Sequence, residues 1–132
     1  KKSIAAPGAG NYLTFTKATA LAKAILQEDI HKTYVQAHGT GTPQNRTSES
    51  HILNETAKAF GINNWPVTST KSYVGHSIGT AAGDQLTAAL GVWQHGWIPG
   101  IKSIDHIADD VHRSNLNILL DPMMRILESQ LF

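Results

Sequence analysis

Two histidines lie in glycine-rich turns. His38 opens the run HGTGTP, from His38 to Pro43, and His76 sits inside KSYVGHSIG, from Lys71 to Gly79. Lys71 precedes His76 by five residues, and Thr40 and Thr42 follow His38 on either side of Gly41. Glycines leave room for a substrate to approach, so a histidine in such a turn reads as functional. Three chemistries are open to this set. A metal site needs three or more ligands, and the nearby acids Glu49, Asp84 and Asp105 have no recognisable ligand spacing, so no metal is expected. A phosphate cradle fails on spacing, because GTGTP lacks G-x-x-x-x-G-K-[ST] and Pro43 removes a backbone donor. Neutral imidazoles acting as hydrogen-bond donors remain. They stabilise an oxygen that gains negative charge, as when a thioester becomes an enolate. Lys71 can set a neighbouring ring's orientation and the local field. The hydroxyls of Thr40 and Thr42 can reach amides of an extended ligand. The other histidines, His31, His51, His95, His106 and His112, read as partly buried residues bonded to backbone.

The elements around these turns alternate between strand and helix patterns. Thr16 to Gln27 carries Ala18, Leu21, Ala22 and Ile25 at helical spacing, and Tyr34 to Ala37 is a short apolar run that ends at His38. Thr47 is expected to cap a helix with a buried stripe of Ile52, Leu53, Ala57 and Phe60, ended by Gly61. Pro66 introduces a short strand, Val67 to Thr70. A long helix is expected from about Thr80 to His95, with Ala82, Leu86, Ala89, Leu90 and Trp93 on its buried face. Leu116 to Leu120 reads as a final strand, closed by Asp121 and Pro122. Strand, loop and helix in repetition predict an α/β fold with a mainly parallel sheet. In such sheets the strand-to-helix loops gather at the carboxyl ends of the strands, which would bring His38 and His76 to one pocket.

Composition narrows the function classes. The 132 residues suit one domain with a modest core, and 41% apolar with 16% charged residues is the balance of a globular protein. The net charge of +1 with scattered Lys and Arg gives no footprint for nucleic acid. There is no cysteine, so disulfides, thiolate metal sites and a thiol nucleophile are all excluded within this chain. No apolar run has the length of about 20 residues that a membrane span needs. Pro7 and Gly8 interrupt any signal-peptide core, and the cytoplasm is the expected compartment. The chain starts without an initiator methionine, so a fragment or a processed product is expected.

VQAHGTGTP, Val35 to Pro43, followed by VTSTKSYVGHSIGTAAG, Val67 to Gly83, resembles the C-terminal half of a β-ketoacyl-[acyl carrier protein] synthase, a condensing enzyme of the thiolase-like superfamily. The resemblance covers residues 34–121. It implies a single incomplete domain over 1–132, a partial thiolase-like fold with αβαβα layering in the complete enzyme, and an unmatched tail at 123–132. It implies decarboxylative Claisen condensation of an acyl thioester with malonyl-acyl carrier protein in fatty acid or polyketide synthesis. His38 and His76 match the two histidines that donate to the malonyl thioester oxygen. Lys71 matches the lysine supporting the second histidine, and Thr40 and Thr42 match residues that bind phosphopantetheine. No cofactor is implied beyond that carrier arm. The implied partners are acyl carrier protein, the cysteine-containing N-terminal half and, in the complete enzyme, a second copy.

Three departures accompany the match. Gln85 stands nine residues after His76, where the pattern GHxxGAAGxxE has a glutamate, and Asp84 beside it could pair with Lys71 instead. Arg46 stands where HGTGTPLGD has an acid, while Glu49 matches the next acidic position. The Gly-rich segment with its Phe near the family's C-terminus is replaced by LNILLDP and MMRILESQLF. A reading of a different class is a non-catalytic half-synthase that serves as a dimer partner or carrier-protein scaffold.

Overall fold

The computed structural model describes residues 8–120 and the backbone of 123–125. The expectation that the first residues form no signal peptide, the closure by Asp121 and Pro122, and most of the 123–132 tail fall outside the described residues.

Helix α1, Ala9–Leu26, runs into a 3₁₀ turn, Gln27–Lys32, and then into strand β1, Val35–Gln36. Helix α2 spans Pro43–Ala59 and strand β2 spans Trp65–Thr68. A single turn, α3, Lys71–Val74, and a 3₁₀ turn, Ile78–Thr80, lead into α4, Ala81–His95. Strands β3, Trp97–Pro99, β4, Leu116–Ile118, and β5, Met123–Arg125, follow. The first sheet has the order β1-β2-β4 and is parallel throughout, with Val35 opposite Val67 and Val67 opposite Ile118. Strands β3 and β5 form an antiparallel pair, Trp97 opposite Arg125, so the start of the tail that the family motifs leave unmatched is built into a second sheet.

Strand β2 begins at Trp65, two residues before the expected start, with Pro66 inside it. In a parallel ladder successive residues turn their backbone groups to opposite neighbours. Trp65 N–H donates to Asn115 O at 2.9 Å on the β4 side, so the nitrogen of Pro66 faces the other side, where β1 has not yet begun. A missing donor costs nothing there.

The core lies between this sheet, α1 and α2. Ile30, Val35, Leu53, Ala57, Ile62, Trp65, Val67 and Leu116 are buried together, with Phe15, Ala22, Leu26 and Phe60 packed against them. The Trp65 indole N–H donates to Thr33 Oγ1 at 3.0 Å, which removes the penalty for burying it. A smaller cluster of Val92, Ile98 and Leu119 ties α4 to the sheet, beside Tyr34, whose phenol burial pushes above its usual range.

Helix faces are where the sequence expectations need correcting. Ile52, Leu53 and Ala57 are buried as expected, and Gly61 ends α2 with φ +67°. The cap, however, is Thr42, whose Oγ1 accepts from Asn45 N–H, with Pro43 in the first turn. Thr47 lies inside the helix and donates to Pro43 O. On α1 the inward face is Phe15, Thr19, Ala22 and Leu26, while Leu21 and Ile25 are exposed. Apolar residues surround that helix almost completely, so periodicity alone selects no face. On α4 the expected length is right, but Leu86, Leu90 and Trp93 are more than half exposed and Val92 is the buried residue. The helix packs on β3 by the opposite flank, and its broader apolar face is left open.

Candidate active site

β1 and β2 end at the same edge of the sheet, so the loops after them meet. The His38 and His76 rings lie with centroids 5.2 Å apart, edge to face at 86°. Both side chains face solvent in this chain, while Lys71 is half-buried beneath them.

The His38 loop is held from three directions. Ala37 N–H donates to Thr68 O at 2.8 Å, continuing the sheet. From α2, the Glu49 carboxylate accepts His38 N–H at 2.6 Å on one oxygen and Gly39 N–H at 2.9 Å on the other. From α4, Gln85 Nε2 donates to Ala37 O at 3.0 Å. Gly39 has φ +56°, and a β-carbon there would stand 2.3 Å from Ser69 Oγ, so no other residue fits. One turn before Glu49 on the same helix, the Asn45 side-chain oxygen accepts Thr40 N–H at 3.2 Å.

The His76 turn is bound mainly to itself. Ile78 N–H donates to His76 Nδ1 at 3.0 Å. Ser77 hydroxyl donates to the Asp84 carboxylate, which sits in the first turn of α4 and complements the helix dipole. Asp84 is thus engaged with Ser77, and none of the ion pairs among the described residues involves Lys71. The Lys71 ammonium instead lies 3.2 Å from His38 Nδ1, so its bond is to the first histidine rather than the second. An ammonium can only donate.

These bonds fix the tautomers of the neutral rings. Each Nδ1 accepts, one from Lys71 and one from Ile78 N–H, so each ring carries its proton on Nε2. The result is two N–H donors from rings in contact.

The Thr40 and Thr42 hydroxyls lie 3.3 Å apart in the loop after His38. A cavity of about 630 Å³ opens beside them, lined by Gly39, Thr40, Lys71 and His76 on one side and by Ile104, Ile107 and Val111 on the other. Arg46 donates to Asp110 at 2.7 Å and ties α2 to the segment forming that second wall. The Arg46 guanidinium holds the Asp110 carboxyl below the usual carboxylate range. The residue that departs from the family's acidic pattern therefore has an acid of its own as partner.

The remaining histidines are surface residues rather than the partly buried, backbone-bonded ones expected: His51 and His112 pack edge to face at 4.7 Å, and His106 pairs with Asp105 at 2.5 Å. No cluster of three or more potential metal ligands occurs among the described residues. Asn45, which accepts Thr40 N–H, is the residue holding this loop that the sequence reading missed. Placing the cap at Thr47 instead of Thr42 hid the fact that Asn45 and Glu49 are one helical turn apart and face the same loop.

The structure aligns with the crystal structure of the ketosynthase FabY from Pseudomonas aeruginosa at a TM-score of 0.89 and 51% identity, over 96% of this chain and 20% of that one. At that identity the likeness shows the fold to be thiolase-like, that of a ketosynthase. Residues 2–105 match the family described as beta-ketoacyl synthase, C-terminal domain, and the chain belongs to that family. In sequence it is 57% identical over 120 residues to the beta-ketoacyl-[acyl-carrier-protein] synthase FabY of P. aeruginosa, which covers 89% of this chain and 19% of that protein. It is 30% identical over 88 residues to 3-oxoacyl-[acyl-carrier-protein] synthase 1 of Escherichia coli K12, over 67% of this chain and 20% of that protein. The chain thus spans about a fifth of the length of these relatives.

Proposed function

We propose that this chain supplies the two-histidine part of the active site of a β-ketoacyl-acyl carrier protein synthase, acting in decarboxylative Claisen condensation. The observation that carries the reading is the pair of Nε2–H donors on rings 5.2 Å apart, each with its Nδ1 occupied.

In this reading, the rest of the synthase holds an acyl group as a thioester on a cysteine, since this chain contains none. A malonyl thioester on the phosphopantetheine arm of acyl carrier protein enters beside Thr40 and Thr42, whose hydroxyls are placed to bond that arm. The carbon–carbon bond to the carboxylate breaks, carbon dioxide leaves, and the bonding electrons move into the thioester carbonyl. The oxygen becomes negative, and His38 and His76 donate to it without having to give up a proton. The enolate carbon then attacks the acyl thioester, and the cysteine leaves as thiolate. Lys71 holds the His38 tautomer, and Glu49 holds the His38 backbone. The segment alone is inactive, for want of a nucleophile. Fatty acid synthesis is the favoured pathway, in the cytoplasm, with no cofactor beyond the carrier arm, no nucleic acid or membrane partner, and a second copy completing the dimer. Among the described residues no helix is long and apolar enough to cross a membrane.

The test is malonyl-acyl carrier protein decarboxylation by the complete protein that carries this chain. Removing one donor at a developing oxyanion costs about 100- to 1000-fold in rate, so His38→Ala and His76→Ala should each fall by that much. Near-normal decarboxylation by His38→Ala overturns the reading. The non-catalytic alternative, a half-synthase used as a dimer partner or docking scaffold, draws on the open apolar face of α4, Leu86, Leu90 and Trp93. A co-purifying cysteine-bearing half with condensing activity decides against it.

A further inference from the structure

We propose that Gln85 is a positioning residue that sets His38 for donation through the carbonyl of Ala37, and that its amide, rather than the carboxylate of the family pattern, is what the role requires. The inference rests on the functional reading above. β1 is an edge strand of its sheet. Ala37 donates its N–H to Thr68 O, and no backbone hydrogen bond of a turn or loop among the described residues reaches its own C=O. Ala37 is buried, so that carbonyl needs a donor from elsewhere. Gln85 Nε2 supplies it at 3.0 Å. A carbonyl oxygen only accepts and a carboxylate only accepts, so glutamate at this position would leave the Ala37 oxygen facing another acceptor.

The bond also joins the two histidines. α4 begins just after the His76 turn, and its first turns reach back to the residue before His38. Two hydrogen bonds of the described residues cross from the segment carrying His76 to the His38 loop: Lys71 to the ring and Gln85 to the backbone. The first fixes the tautomer of His38. The second fixes where its peptide stands relative to the helix that follows His76. An oxyanion site depends on such placement, and a shift of about 1 Å costs on the order of 100-fold.

The experiment uses Gln85→Met and Gln85→Glu in the complete protein, assayed by decarboxylation of malonyl-acyl carrier protein. Methionine has similar length and helix propensity but no donor. Both variants are expected to lose about 10- to 100-fold in kcat with KM for the malonyl thioester unchanged. The Glu variant carries a second signature: its carboxyl becomes a donor when protonated, so its kcat relative to the Met variant should rise as pH falls from 8 to 5. A purely structural role would lower both alike at every pH. Met at wild-type kcat, a change confined to KM, or a pH-independent Glu-to-Met ratio overturns the proposal. His38→Ala in the same assay separates the two readings: if it stays active, the functional reading falls together with this one, and if it is inactive while Gln85→Met is normal, only the role of Gln85 falls.

Discussion

The two histidine turns sit 5.2 Å apart and are built by opposite means. The His38 backbone is gripped by a strand, by Glu49 from one helix and by Gln85 from another. The His76 turn closes on itself, through Ile78 N–H and the Ser77–Asp84 bond, and its residues from 75 to 80 are all exposed. Ile78 even holds a φ of +56°, an unfavourable setting for a branched side chain. One donor is thus fixed by the fold and the other by its own loop. The difference teaches that the geometry of the pair depends on the few bonds linking the loops.

Perturbations of the His38 side should therefore cost most. Gly39→Ala puts a β-carbon against Ser69 Oγ in a left-handed conformation, and we expect a destabilisation of about 3 kcal/mol, read from denaturant midpoints. If Gly39→Ala melts like the parent chain, the loop is looser than its packing implies. Next comes the paired comparison of Glu49→Ala and Ser77→Ala. The first strands two backbone N–H groups that now bond a carboxylate and should cost about 2 kcal/mol. The second removes one exposed hydroxyl contact and should cost about 0.5 kcal/mol. Equal losses would erase the contrast between the turns. The smallest effect belongs to the Arg46–Asp110 pair on the cavity wall. Arg46 lowers the Asp110 carboxyl, so the pair's stabilisation is present at neutral pH and is lost as pH falls through the carboxylate range, below about 4. Melting of the parent chain and of Asp110→Asn should converge there, and a gap that persists in acid would show that charge is not what the pair contributes.

What the sequence disclosed follows from how local each signal is. A histidine directly after an apolar run, in a glycine turn, marks a strand-end loop whatever the rest of the chain does, so the meeting of His38 and His76 was legible. The parallel pairing of the first sheet followed from the alternation of strands with helices, whereas the separate β3-β5 pair did not. Burial was less legible. Leu21, Ile25, Leu86 and Leu90 have the spacing of a core stripe, yet packing chose Phe15, Ala22 and Leu26 on one helix and Val92 on the other. Periodicity reports that a face is apolar, and not what covers it. The partner of Lys71 was hidden for a related reason. His76 is its neighbour in sequence, but the short turn Lys71–Val74 sends the ammonium back under the preceding strand's loop to His38.

The open face of α4 gives the molecule a built-in optical contrast. Trp65 is 4% exposed, whereas Trp93 and Trp97 are 52% and 38% exposed. One indole emits from a dry interior and two from wet surroundings. A partner seated on Leu86 and Leu90 would also dry Trp93, moving its emission to shorter wavelength and shielding it from a dissolved quencher.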